Sequence, residues 1–124
     1  MDSKELSRQE YIARINRVMD YISQNIDKPL DLSVMADIAS FSPYHFHRIF
    51  TFIVNETPNN FLLRIRLEKA GQLLQDNEHD TIGNIAFQCG FSNISSFSRA
   101  FKLFFGVSAK DFRLQEKAIY IKDG

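Results

Sequence analysis

The sequence predicts an all-α domain of about seven helices, built as two helix-turn-helix subdomains joined by a long connecting helix. Three observations lead there. Apolar residues recur at three- and four-residue intervals along most of the chain. Residues 81–112, TIGNIAFQCGFSNISSFSRAFKLFFGVSAKDF, read as a short helix, a turn containing Gly90, a second helix and the start of a third. The same pattern stands earlier in the chain, where Leu32, Met35 and Ala36 occupy the places of Ile82, Ile85 and Ala86.

The correspondence continues through the turn. Ser40-Phe41-Ser42 matches Gly90-Phe91-Ser92, and after one extra residue in the second copy Phe46, Arg48 and Phe50 match Phe97, Arg99 and Phe101. Asn55-Glu56-Thr57-Pro58 then matches Gly106-Val107-Ser108-Ala109, and Phe61 matches Phe112. Asn and Gly share a tolerance for the left-handed conformation that ends helices, and Thr and Ser share the capping role that starts them.

Taken in order, residues 1–10 are polar and are expected to form a flexible, frayed segment. Tyr11 to Ile26 carries a stripe of Tyr11, Ile15, Val18, Ile22 and Ile26, with Ile12 and Met19 beside it, and Pro29 stops it. The first unit covers about 11–56. Its second helix is capped by Ser42 with Pro43 at the first turn, and Phe46, Ile49, Phe50 and Ile53 are expected to face inward. Thr57-Pro58 opens a connecting helix over 57–75, roughly 27 Å long, whose stripe is Leu63, Leu67, Ala70 and Leu74. The second unit covers 81–117. Ser92 or Asn93 caps its second helix, with Phe97, Ala100, Phe101 and Phe104 on the apolar face and the remaining Phe residues also read as core. Ser108 caps a last helix to about Lys117, and 118–124 is a tail whose AIYIKDG sequence alternates like a strand.

Composition narrows the function classes. A chain of 124 residues, 44% of them hydrophobic, buries a core without metal or disulfide, and twelve Phe with no Trp make Phe its main filler. The lone Cys89 forms no internal disulfide and reads as a small core residue, with redox sensing the less favoured alternative. No apolar run is long enough to span a membrane and the charged N-terminus is not a signal peptide, so the expected location is cytoplasmic. His45 and His47, two residues apart on a helix, point in opposed directions and do not share an ion. No nucleophile–base pair, phosphate-binding Gly-rich loop or paired carboxylate stands out, so neither enzyme activity nor a cofactor is expected.

What faces away from the apolar stripes points to nucleic acid. Ser95, Ser96, Arg99 and Lys102 in the second copy, and Tyr44, His47, Arg48 and Thr51 in the first, suit helices lying against phosphates and base edges. Asn93 joins them from the helix start, Thr51 and Lys102 suit phosphate, and Arg64 and Arg66 read equally well as phosphate contacts or a solvated face. The net charge of zero argues against this, because a basic domain is the usual footprint. The charge is nonetheless segregated. Arg48, Arg64, Arg66 and Lys69 outnumber Glu56 and Glu68 over 41–75, and Arg99, Lys102, Lys110, Arg113 and Lys117 outnumber Asp111 and Glu116 over 91–117. A helical protein-interaction module and a nonspecific architectural DNA binder are the competing readings.

The run from Ile85 to Arg113 (IA…GF.S..SFSRAFK..FG.S…FR) and the weaker copy from Met35 to Phe50 (MA…SFS.YHFHRIF) resemble the DNA-binding domain of the AraC/XylS family of transcription regulators. RIRLEKAGQLL, residues 64–74, is similar to that family's connecting helix. The likeness covers about 11–116, with departures at Ala109, where the family usually has proline, and at Ser40, where a turn glycine is common. The resemblance implies a homeodomain-like fold and specific double-stranded DNA as partner. It also implies transcription regulation, usually activation through contact with RNA polymerase, and in some relatives a ligand-binding domain, here expected C-terminal to this one.

Overall fold

The computed structural model describes residues 3–115, and the tail expected at 118–124 and the end of the last helix lie outside them. Among the described residues the regular structure is entirely helical: α1 (Ser3–Gln24), α2 (Leu32–Ala39), α3 (Pro43–Val54), α4 (Pro58–Asp76), α5 (Ile82–Gln88), α6 (Ile94–Phe105) and α7 (109–115). The chain divides into two compact units, with the boundary inside α4 between Leu63 and Arg64.

In the first unit α1, α2 and α3 pack on one another, as the stripes require. Ile15, Val18 and Ile22 of α1 are fully buried with Met35, Ala36 and Ala39 of α2 and Phe46 and Phe50 of α3; Phe61 and Leu62 from the start of α4 join them. Helix α1 begins at Ser3 rather than Tyr11, so part of the segment expected to fray is its first turns. Glu5, Arg8, Gln9 and Glu10 are all good helix formers, and Glu10 pairs with Arg14 at 2.6 Å. Arg14 Nη1 donates to the Ser40 carbonyl at 3.3 Å and Arg17 Nε to the Ile38 carbonyl at 3.1 Å. These two side chains satisfy carbonyls that the end of α2 leaves open.

The two turns are built alike. Phe41 N–H donates to the Ala36 carbonyl and Phe91 N–H to the Ala86 carbonyl, both at 3.0 Å. Ser40 and Gly90 provide the positive φ, 61° and 92°. A side chain in the left-handed region costs about 1–2 kcal/mol that glycine avoids, so Ser40→Gly is expected to stabilise the protein by about 1 kcal/mol in urea unfolding.

The second unit repeats the plan. Leu67, Ala70 and Leu74 of α4 are buried, as are Ile85 and Ala86 of α5, Phe97 and Phe101 of α6, Cys89 and Ala109. Phe101, Phe105 and Phe112 form a ring cluster with centroids 4.4–5.4 Å apart. A Cβ on Gly71 would lie 3.0 Å from Cζ of Phe105, so the absent side chain lets α4 approach these rings. Asp80 leads into α5, accepting from Asn84 Nδ2, Thr81 N–H and Gln88 Nε2. The Asn84 bond, then those of Gln88 and Thr81, hold its carboxyl below the usual range, so this contribution is present at neutral pH and lost on acidification.

Three expectations are corrected. Phe104 is 43% exposed, while Phe105, one turn beyond Phe101, is half-buried with its ring against those of Phe101 and Phe112. Leu63 is exposed because it stands where α4 passes from one unit to the other, while Phe61 and Leu62 serve the first core and Leu67 the second. Nor are all Phe residues core, since Phe52 and Phe87 are 87% and 57% exposed. Cys89 is fully buried, and burial pushes its thiol up to about 11. The folded protein is therefore expected to resist a thiol-reactive disulfide at neutral pH and to react at once in denaturant, as read by absorbance.

Candidate nucleic-acid interface

Helices α3 and α6 are each the second helix of their turn, and their ends are fixed locally. Ser42 Oγ accepts from His45 N–H at 3.3 Å, and Asn93 Oδ1 accepts from Ser96 N–H at 3.0 Å. Asn55 and Gly106 end them in the left-handed conformation, as the repeat requires. Burial of Phe46 and Phe50, and of Phe97 and Phe101, then fixes which face each helix turns outward.

On α3 that face carries Tyr44, His47, Arg48 and Thr51. Tyr44 is 73% exposed, and the Arg48 guanidinium lies over its ring, 5.8 Å from the centroid. The ring limits where the guanidinium can go without neutralising it. His47 and His45 are both exposed, and the His45 ring meets those of Phe41 and Tyr11 edge-on at 5.1 and 6.1 Å. Thr51 is half-buried and its hydroxyl donates to the His47 carbonyl at 2.7 Å, leaving only its acceptor capacity for a further partner.

On α6 Ser95, Arg99 and Lys102 share the outward face in the places of Tyr44, Arg48 and Thr51, with Ser96 and Ser98 exposed beside them. Lys102 also lies in the last turn, where a cation favours the helix dipole. Asn93 spends its carbonyl oxygen on the cap and retains an amide donor. The first face is thus aromatic and bulky, the second small and hydroxyl-rich.

Some charges counted for this surface are used elsewhere. Arg113 donates from Nε to the Leu74 carbonyl at 3.0 Å and from Nη2 to the Asn77 carbonyl at 3.1 Å, closing the end of α4. Arg64 pairs with Glu68 at 3.1 Å. What sequence reasoning missed is apolar. Phe52 and Leu103, at equivalent places one turn beyond Arg48 and Arg99, are 87% and 89% exposed. The register of the repeat already aligned them, but hydrophobicity alone assigned them no outward role. Among the described residues no cluster of three His, Cys, Asp or Glu could hold a metal ion, and no helix is long and apolar enough to cross a membrane.

A family model described as a helix-turn-helix domain matches residues 35–115. The chain belongs to the AraC family of helix-turn-helix domains. Among curated proteins it is 32% identical over 101 residues to the HTH-type transcriptional activator RhaS of Escherichia fergusonii, across 82% of this chain and 36% of that one. The chain spans well under half the length of the curated relatives it matches. Among solved structures it is similar to the C-terminal domain of AraT, a response regulator from Geobacillus stearothermophilus. The TM-score is 0.78 at 30% identity, over 82% of this chain and 84% of that one. It is also similar to an AraC-type transcriptional regulator from Chromobacterium violaceum, with TM-score 0.76, 27% identity and 83% and 91% coverage.

Proposed function

We propose that this AraC-family domain binds specific double-stranded DNA by laying α3 and α6 in successive major grooves, and that it regulates transcription in the cytoplasm. The observation that carries the reading is the doubled unit with an exposed arginine at the same outward place in each copy, Arg48 and Arg99. Arginine is the residue most often paired with guanine in the major groove. Tyr44, His47, Ser95 and Ser96 are proposed to reach bases beside the arginines, while Asn93, Thr51 and Lys102 are proposed to meet phosphate. Thr51 does so only by turning its hydroxyl hydrogen from the His47 carbonyl to the phosphate oxygen, which accepts it. Activation through RNA polymerase extends the proposal, supported by the likeness to a transcriptional activator. The α4 helix, continuous from Pro58 to Asp76, supports bipartite binding by one chain without dimerisation.

The protein-interaction reading draws on the zero net charge and on the exposed Phe52, Phe87 and Leu103. Selection from a random duplex library at two salt concentrations separates the readings. The expected product is a bipartite motif whose half-sites lie about one helical turn apart, with affinity falling as salt rises. Failure to enrich any motif at low salt would contradict specific recognition, and a steep salt dependence without sequence preference would indicate nonspecific binding.

A further inference from the structure

We propose that Phe52 and Leu103 read thymine, each through the C5-methyl group of a base in its own half-site. The inference rests on the DNA-binding reading above and adds to it two specificity-determining residues.

Each side chain is about nine-tenths exposed, although each is large and apolar. A single exposed apolar residue needs no explanation. Two at equivalent places of a doubled unit, each four residues after the outward arginine, make a repeated pair: Arg48 with Phe52 and Arg99 with Leu103. Residues four apart on a helix are neighbours on its surface, so each apolar side chain continues the face that the arginine begins. The helix rises 1.5 Å per residue, which places it about 6 Å further along the axis, on the order of two base steps from the arginine's base.

The chemistry available there selects the partner. A position that follows the DNA backbone gains from a cation or hydrogen-bond donor, and neither Phe nor Leu supplies one. Base edges in the major groove present donors, acceptors and one apolar group, the thymine methyl. A phenyl ring and an isobutyl group both gain from covering it, which explains why two different side chains serve one place. Phe52 also borders an open groove with Ser7, Tyr11, His45 and Ile49, so a protein partner is the competing occupant in the first unit.

The test uses the selected duplex and replaces its thymines one at a time by deoxyuridine, which removes only the methyl group. At one thymine in each half-site the wild-type domain is expected to bind about fourfold more weakly, the value of one buried methyl. Phe52→Ala is expected to erase that difference in the first half-site alone, and Leu103→Ala in the second alone. Tight binding of the duplex with no dependence on any methyl group overturns this inference and leaves specific recognition standing. So does a full thymine preference in both variants, or a Phe52→Ala domain that keeps its DNA binding unchanged and loses RNA polymerase. Failure of the wild-type domain to prefer the duplex over random DNA overturns both readings.

Discussion

Replacing Arg48 or Arg99 by alanine is expected to cost about 1–3 kcal/mol of affinity for the selected duplex, roughly 5- to 150-fold. The double variant is expected to bind that duplex no better than random DNA. Both arginines are exposed, so the melting temperature should move little, and loss of binding would reflect loss of contact. Tyr44→Ala provides the companion measurement. Removing the ring under the guanidinium frees Arg48 to sample other positions, so affinity should fall less than in Arg48→Ala and mainly at the first half-site. Fluorescence anisotropy with each half-site mutated in turn resolves these effects. A double variant that retains full specificity would remove α3 and α6 from the reading role and favour the protein-interaction module.

The largest effect on stability is expected at Phe101. Its ring meets those of Phe97, Phe105 and Phe112 at 5.5, 4.4 and 5.4 Å, and it is fully buried. Phe101→Ala should cost about 3–5 kcal/mol, a large part of the 5–15 kcal/mol that holds a typical domain folded. Phe50, its equivalent in the first unit, meets Phe46 and Phe61 at 5.5 Å and is expected to behave similarly. Phe104→Ala is the informative control, because that ring is 43% exposed and touches Phe105 at 4.8 Å. Its cost should stay near 1 kcal/mol in urea unfolding followed by circular dichroism. Equal losses at Phe101 and Phe104 would contradict the assignment of inward and outward faces.

The caps and turns were legible because their chemistry is local. Ser42, Asn93, Asn55 and Gly106 act on backbone groups a few residues away, and few residue types do those tasks. The outward arginines were legible because the repeat supplied a second copy to compare with. The fates of Phe104 and Phe105 were not legible from spacing alone. Both lie near the stripe set by Phe97 and Phe101, and only the rings of Phe101 and Phe112 decide which one is covered. The same holds for Arg113. Its charge was visible, but the carbonyls of Leu74 and Asn77 that engage it are brought near by folding. The start of α1 at Ser3 was missed because a polar sequence carries no stripe even where its residues favour helix.

Half-site spacing tests whether one chain reads two successive major grooves. Affinity is measured for the selected duplex, for a duplex with one half-site scrambled, and for one with about five base pairs, half a turn, inserted between the half-sites. The half-turn insertion is expected to be as damaging as scrambling a half-site, because the second groove then faces away. Unchanged affinity across the insertion would contradict it.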